Sequence, residues 1–369
     1  MPLAQGSPTD NDATNGISSP PSLGSSPEFL DNAPAIIADN GSVASSENGD
    51  TFSIDDTMRD YPVFFGRTYH KYKEGSYPFP NDAQEVERMD KQFWLIKAAQ
   101  GGRLLMAPVS DPQNVLDVGT GTGTWAIMLA DHVFPSANIV GIDLSPIQPR
   151  HVPQKVIFEQ QDCSEPDWCR PLGSFDLIYG QSLLGSLQDY SQYLITARKY
   201  LRPGTGWIEA CEIDPAVFSD DNTIPHNWPM KRWAEWTIYA AQRGGRPLRI
   251  APYIKRWMTE AGYVDVEEQV FKIPIGSWPA LSHLKQLGKH FQELIAETLA
   301  AASYKNFSEV LGWDRETIEV FLADTRKSME NRKVHSYYRC HVVYGRRPTA
   351  DEEKTMGRMA PPPRAKKVK

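Results

Sequence analysis

The sequence feature that most constrains the fold is a glycine-rich loop between two different hydrophobic patterns. The apolar run NVLDVGT (114–120) is typical of a buried β-strand, and TWAIMLADHV (124–133) has the spacing of an α-helix. The loop between them reads Asp117-Val118-Gly119-Thr120-Gly121-Thr122-Gly123. Glycines allow a tight turn and a close approach of the backbone to a ligand, and the helix begins with free N–H groups. The pattern therefore predicts a strand–loop–helix unit that binds a ligand at its loop.

An acidic residue follows the glycine loop at a position suited to binding the ribose of a nucleoside. Asp143 lies twenty residues after Gly123, at the end of the next predicted strand, ANIVGIDL (137–144). A carboxylate at this position can accept hydrogen bonds from both hydroxyls of a ribose. We expect Leu144, the next residue, to contact the same ligand.

Two ligand classes fit a glycine loop followed by a ribose-binding acid. Dinucleotides prefer G-x-G-x-x-G, whose third glycine is replaced here by Thr124, and their pyrophosphate gains nothing from Asp117. S-adenosylmethionine carries a sulfonium, an ammonium and an adenosine but no phosphate, so it suits an acidic glycine loop. A nicotinamide cofactor and a glycine-rich turn that binds nothing remain alternatives. The expected S-adenosylmethionine site consists of Asp117, Gly119, Thr120, Gly121, Gly123, Asp143 and Leu144.

Two further positions follow predicted strands at the ligand edge. Asp162 closes the third strand, where its carboxylate can accept a hydrogen bond from the adenine amine, with the Cys163 backbone beside it. The alternative for Asp162 is a helix cap or a solvated turn. Gln181 follows the fourth strand and either contacts the cofactor or caps a loop.

Strands and helices alternate along the body of the chain, which predicts an α/β fold with a parallel sheet and helices on both faces. Strand-like runs at 264–275 and 335–345 are expected to form a closing antiparallel pair. Helical insertions are expected near 222–248 and 277–334, covering the ligand edge of the sheet. The aromatic residues of the first insertion fit packing onto the sheet better than contact with a substrate.

Charge is distributed unevenly between this body and its flanks. Residues 1–58 contain nine Asp/Glu and no Lys or Arg, and they predict a disordered acidic arm. Residues 348–369 predict a disordered basic tail ending in Lys366-Lys367-Val368-Lys369, which resembles a short nuclear-import signal. The net charge of −7 argues against direct nucleic-acid binding. No apolar run is long enough for membrane insertion, and the four cysteines lack the spacing of a metal module.

The glycine loop and its surroundings resemble a known family. The stretch from NVLDVGTGTGTWAIMLADHV to NIVGIDLSPIQP (114–149), together with GRTYHKYKEGSYPFPNDAQEVERMD (66–90) and YLRPGTGWIEACEID (200–214), is similar to fungal LaeA-like (TAM-domain) class I methyltransferases. The turn Pro203-Gly204-Thr205-Gly206-Trp207 is one residue longer than the family's usual turn, and Thr120 replaces its usual cysteine.

The resemblance implies a Rossmann-like, seven-stranded class I methyltransferase sheet over 113–347, with a helical segment (59–112) covering the cofactor site. It also implies an S-adenosylmethionine-dependent regulator of fungal secondary metabolism and development. Its expected partners are velvet-type regulatory proteins or a related methyltransferase-like subunit. The protein itself is expected in the nucleus and also in the cytoplasm. An interaction module with little or no catalysis is the alternative.

Aromatic side chains of the N-terminal segment complete the expected cofactor site. Tyr69 and Tyr77 offer ring faces that can attract a sulfonium, although they also suit a role in pinning this segment to the body. The catalytic residues and the methyl acceptor stay unassigned. The Asp/Asn-Pro-Pro-Tyr motif that suits nucleobase and amide acceptors is replaced here by Gly180-Gln181-Ser182. A thiol, a carboxylate or a neutral amine would need no universal base.

Overall fold

The computed structural model describes residues 61–73 and 78–358. The predicted acidic arm (1–58), Tyr77 and residues 359–369 lie outside this part of the chain. Within it, none of the helices combines the length and the apolar character needed to span a bilayer.

The predicted parallel sheet and its antiparallel closing pair are both present. Two short strands, β1 (Val63–Phe64) and β2 (Arg67–Thr68), pair with each other. Seven further strands form the main sheet: β3 (Asn114–Val118), β4 (Asn138–Asp143), β5 (Val156–Gln160), β6 (Leu177–Gln181), β7 (Trp207–Phe218), β8 (Val264–Pro274) and β9 (Tyr337–Arg346). Their order is β5-β4-β3-β6-β7-β9-β8. Strands β3 to β7 are parallel, and β9 runs antiparallel between β7 and β8, which confirms the predicted seven-stranded α/β fold.

Helices pack on both faces of this sheet. In chain order the described part of the protein has α1 (Ala83–Ala99), α2 (Thr124–His132), α3 (Tyr190–Tyr200), α4 (Pro229–Arg243), α5 (Ile254–Glu260), α6 (Ser282–Lys305), α7 (Arg315–Ser328) and α8 (Ala350–Arg358). One buried cluster joins residues of α1, α2, α4, α6 and α7, and a second joins residues of α3 and α5. Two separate cores of this kind are what a parallel sheet with buried faces requires.

The predicted helical cover consists of α4, α6 and α7. Trp233 of α4 is 5% exposed, and its indole N–H donates to Ser303 Oγ of α6 at 2.9 Å. Trp228 donates in the same way to the Ser328 carbonyl of α7 at 3.1 Å. Because both indoles are buried between helices, these aromatics serve packing, which is the role favoured from their spacing.

The beginning of the expected disordered tail is helical instead. Thr349 and Glu352 form a reciprocal capping box, in which Thr349 N–H donates to Glu352 Oε2 at 2.7 Å and Glu352 N–H donates to Thr349 Oγ1 at 3.2 Å. Arg346 and Arg198 pair with the first-turn acids Glu352 and Glu353. These contacts explain why α8 forms within residues 348–369.

A single aromatic ring fixes the spacing between the glycine loop and the sheet. Gly123, the residue before α2, has φ +79°, and a Cβ there would overlap the Phe158 ring of β5. The same ring lies 2.6 Å from the position of a Cβ at Gly141 in β4. Glycine is therefore required at 123 both for its backbone conformation and for ring packing.

Two buried glutamates of β7 bind the backbone of distant segments. Glu209 accepts from the N–H groups of Met106 and Ala107 at 2.8 and 2.6 Å. Glu212 accepts from those of Leu183 and Leu184 at 2.7 and 3.2 Å. Burial raises the pKa of Glu209 to about 7 and that of Glu212 to about 8, more than these hydrogen bonds lower them.

We expect Gly123→Ala to destabilise the protein by about 2–4 kcal/mol, because it adds overlap with Phe158 to the cost of a positive φ. Gly245→Ala is the matched control, since Gly245 has φ +77° and no atom within 4 Å of a Cβ. It should cost only about 1–2 kcal/mol. Urea unfolding of the two variants measures the difference, and equal losses would contradict the packing role of Phe158.

We also expect the free energy of unfolding to fall as the pH rises from about 5 to 8. Since the pKa values of Glu209 and Glu212 are raised by folding, the folded state binds more protons than the unfolded state in this window. Each group contributes a slope of at most about 1.4 kcal/mol per pH unit. Glu212→Gln, which mimics the protonated acid, should make the decline shallower in urea titrations at pH 5.5 and 8. An unchanged slope in the variant would rule out Glu212 as a source.

Candidate active site

A cavity of about 230 Å³ lies at the carboxyl ends of the central strands. This edge is where ligands bind in open parallel sheets. Its walls come from the glycine loop, the ends of β4, β5 and β6, the inner face of α1 and residue Thr298 of α6. The predicted residues that line it are Asp117, Gly119, Thr120, Gly121, Asp143, Leu144, Asp162, Cys163 and Gln181. Gly123 is set back from the cavity and packs on the sheet.

The glycine loop lines the cavity with residues 119–122. Gly119 and Gly121 have φ +65° and +55°, in the left-handed region that favours glycine. A Cβ at Gly119 would overlap Leu183, whereas one at Gly121 would have only Met89 Sδ of α1 nearby, at 3.7 Å. The backbone at Gly121 therefore faces the space between the loop and α1, and Gly119 packs against Leu183.

Asp143 is fixed by two backbone donors. Its Oδ2 accepts from Gly121 N–H and its Oδ1 from Ser145 N–H, both at 2.9 Å. Burial raises the pKa of Asp143, and the backbone N–H groups oppose that shift. Each carboxylate oxygen can accept a second hydrogen bond, so this geometry suits two vicinal hydroxyls.

Asp117 lies deeper, at the end of β3. Its side chain accepts from Thr120 Oγ1 at 2.6 Å and is 2% exposed as a residue. Burial raises the pKa of Asp117 to about 7, which places its proton loss near neutrality. A cation brought into the cavity would favour the charged form.

Asp162 has a partner that the sequence did not indicate. Its Oδ2 accepts from Lys73 Nζ at 2.7 Å, and its Oδ1 accepts from the N–H and hydroxyl of Ser164. Burial raises the pKa of Asp162, but these hydrogen bonds outweigh it and hold the pKa below its usual value. The turn with Ser164 is the alternative expected for this residue. Cys163 beside it stays a thiol, because burial raises its pKa to about 12.

Tyr69 is not part of the cavity, which corrects the expectation for this residue. Its side chain is 1% exposed, and its ring packs edge-on against Phe64 and lies 4.4 Å from Lys305 Nζ. The cation over the Tyr69 ring is therefore the Lys305 ammonium of α6, where a sulfonium had been expected. Tyr69 pins the N-terminal segment to the helical cover, the alternative role expected from the sequence.

A hydrogen-bond chain that the sequence did not predict forms the wall opposite the glycine loop. Arg88 donates through Nε and NH2 to Glu85 Oε1 at 2.9 and 2.7 Å, and through NH1 to Gln92 Oε1 at 2.7 Å. Gln92 Nε2 then donates to Ser182 Oγ at 2.7 Å. Ser182 has φ +59°, a strained conformation for serine that is typical of functional sites. The only advance signal was the position of Ser182 directly after a strand end.

α1 is also attached to the start of α2. Asp90 Oδ1 accepts from the hydroxyls of Thr122 and Thr124 at 2.6 and 2.8 Å. Thr124, which replaces the third glycine of a dinucleotide loop, thus has a structural partner on the helix that closes the cavity.

Comparison with known proteins identifies the domain and its relatives. A methyltransferase-domain family matches residues 94–268. The methyltransferase pytC of Aspergillus terreus is 36% identical over 80% of this chain and 91% of its own length. The secondary metabolism regulators LAE1 of Cochliobolus heterostrophus and laeA of Aspergillus fumigatus are 34% and 32% identical, over 77% and 79% of this chain and 94% and 78% of their own.

Solved structures with a similar arrangement were also found. Mycolic acid cyclopropane synthase CmaA1, complexed with S-adenosylhomocysteine and CTAB, has a TM-score of 0.42 at 16% identity, over 69% of this chain and 84% of that one. Phosphoethanolamine N-methyltransferase 2 of Haemonchus contortus, in complex with S-adenosylmethionine, has a TM-score of 0.39 at 16% identity, over 66% and 50%. The identity and coverage shared with the fungal relatives, together with the seven-stranded fold, show that this chain belongs to the LaeA-like family of class I methyltransferases.

Proposed function

We propose that the protein is an S-adenosylmethionine-dependent methyltransferase that regulates fungal secondary metabolism and development. The observation that carries the proposal is the Asp143 carboxylate, fixed by Gly121 and Ser145 at the cavity that the glycine loop lines. A nicotinamide cofactor is a poorer fit, because its pyrophosphate gains nothing from Asp117 and Thr124 replaces the third glycine of a dinucleotide loop.

The residues present fit the proposed cofactor. Asp143 would hold the ribose, Leu144, Asp162 and Cys163 the adenine, and Asp117 with the glycine loop the cationic amino-acid end. When bound, the cofactor supplies a methyl group on a positively charged sulfur. The protein would align donor and acceptor, and the apolar side chains of Met89 and Phe93 on α1 line the cavity, where they would keep water from the reacting groups.

The regulatory role rests on the fungal relatives named as secondary metabolism regulators. We extend the proposal to residence in the nucleus and also the cytoplasm, and to assembly with velvet-type proteins or a related methyltransferase-like subunit. The basic cluster at 366–369 supports nuclear entry. An interaction module of the same fold with little catalysis is the second candidate.

Isothermal titration of the full chain with S-adenosylmethionine and S-adenosylhomocysteine should show binding in the micromolar range. Asp143→Ala removes the acceptor of both predicted ribose hydrogen bonds, so it should weaken binding roughly tenfold or more. Asp131→Ala, an exposed acid on α2, is the matched control and should bind like the wild type. Wild-type protein that gives no heat with either compound would refute the proposed cofactor.

A Gly119/Gly121 double alanine variant separates catalysis from scaffolding. In a fungal host we expect it to lose control of secondary metabolite production, because alanine strains the positive φ at both positions and a Cβ at 119 would displace Leu183 from the cavity wall. Circular dichroism and co-purification of partners check that the variant is folded and assembled. Full regulation by a variant that no longer binds S-adenosylhomocysteine would favour the interaction module.

A further inference from the structure

The wall of the cavity opposite the glycine loop has a fixed hydrogen-bond polarity. A guanidinium can only donate, so the contact from Arg88 NH1 makes Gln92 Oε1 an acceptor. The Gln92 amide must then turn its NH2 group to Ser182, whose oxygen accepts at 2.7 Å. The buried pair of Arg88 and Glu85 thus determines which way a serine hydroxyl on the cavity wall points its hydrogen.

The Ser182 hydroxyl is left as a donor. Its oxygen receives the Gln92 hydrogen bond, and among the described residues no acceptor lies within hydrogen-bond distance of its own hydrogen. Ser182 lines the cavity and is partly exposed to it. A ligand atom with a free lone pair would satisfy this hydrogen.

Gln181 presents a second donor to the cavity. Its Oε1 accepts from the Tyr179 hydroxyl at 2.9 Å, which leaves its NH2 group for a ligand. Thr298, on the other side, donates its hydrogen to the Leu294 carbonyl at 2.8 Å and accepts from Arg88. Adjacent residues at the end of β6 therefore present two donors to the cavity.

The two donors restrict the chemical class of the methyl acceptor, an inference that rests on the proposed methyl transfer. We propose that the acceptor is a carboxylate, bound through one oxygen by the Ser182 hydroxyl and the Gln181 amide. An amine would leave its own N–H groups facing donors. A carboxylate accepts hydrogen bonds only, so it can accept from both the Ser182 hydroxyl and the Gln181 amide.

The reaction balances without a base. A carboxylate oxygen forms a bond to the methyl carbon while the carbon–sulfur bond breaks, and the electron pair of that bond stays on sulfur. The negative charge of the acceptor and the positive charge of the sulfonium cancel, giving a methyl ester and a neutral thioether. No proton moves in this step, so it needs none of the titratable groups that line the cavity.

The predicted methyl ester can be identified by its hydrolysis in alkali. The full chain is incubated with S-adenosylmethionine labelled in the methyl group and a heat-treated fungal extract, with the Asp143→Ala protein as background. Mild alkali should release most of the transferred label as volatile methanol, since methyl esters hydrolyse and methylated amines, ethers and thioethers do not. Transferred label that resists alkali would overturn the carboxylate assignment alone. Absence of transferred label, in protein that binds S-adenosylhomocysteine, would overturn the proposed methyl transfer with it.

The hydrogen-bond polarity is tested by substitution. Gln92→Glu keeps the contact with Arg88 but turns a donor into an acceptor, which would draw the Ser182 hydrogen away from the cavity. It should lower alkali-labile transfer roughly tenfold to a hundredfold, as should Ser182→Ala. Affinity for S-adenosylhomocysteine, measured by calorimetry, should stay within about twofold in both.

Two variants separate this effect from structural damage. Gln84→Glu makes the same change at an exposed position of α1 and should leave transfer unaltered. Ser182→Gly removes the hydroxyl and also relieves the positive φ, so it should lose as much transfer as Ser182→Ala. Full transfer by Gln92→Glu, or recovery of transfer in Ser182→Gly, would contradict the role of the hydroxyl.

Discussion

The hydrogen bond from Gly121 N–H to the Asp143 carboxylate joins the two strand ends that border the cavity. It connects the loop after β3 with the end of β4, which are also paired as parallel neighbours. Phe158 of the next strand packs against Gly123 and Gly141 on either side of this contact. The loop conformation, the spacing of three strands and the position of the carboxylate therefore depend on one another.

Buried ionisable groups have a structural role around the cavity. Glu212 fixes the backbone after β6 from the neighbouring strand, and Arg88 of α1 orients the neutral side chain of Gln92. Backbone N–H groups bind the carboxyl groups of Glu209 and Glu212, whose pKa values are raised by burial. Such sites combine a low local charge with fixed hydrogen-bond directions, which is the environment that electrostatic preorganisation requires.

Local patterns predicted the parallel strands, the glycine loop and the position of Asp143 at a strand end, because apolar runs, turn residues and strand ends are encoded within short stretches. The contact of Lys73 with Asp162 was not predictable in this way, since it depends on how a distant segment folds over the sheet. The burial of Tyr69 against Lys305 has the same origin. The Thr-x-x-Glu pattern from Thr349 to Glu352 is a local signal of a helix start. The polar composition of the tail nevertheless led to a prediction of disorder there.

The position of β9 between β7 and β8 has a consequence for how the chain is made. Within the main sheet, β8 pairs only with β9. Of the strands in the described part of the chain, β9 is the last to leave the ribosome. Until synthesis passes Arg346, the edges of β7 and β8 stay open and exposed to pairing with other chains. Helices α6 and α7 of the cover are thus translated while these two strand edges are still unpaired.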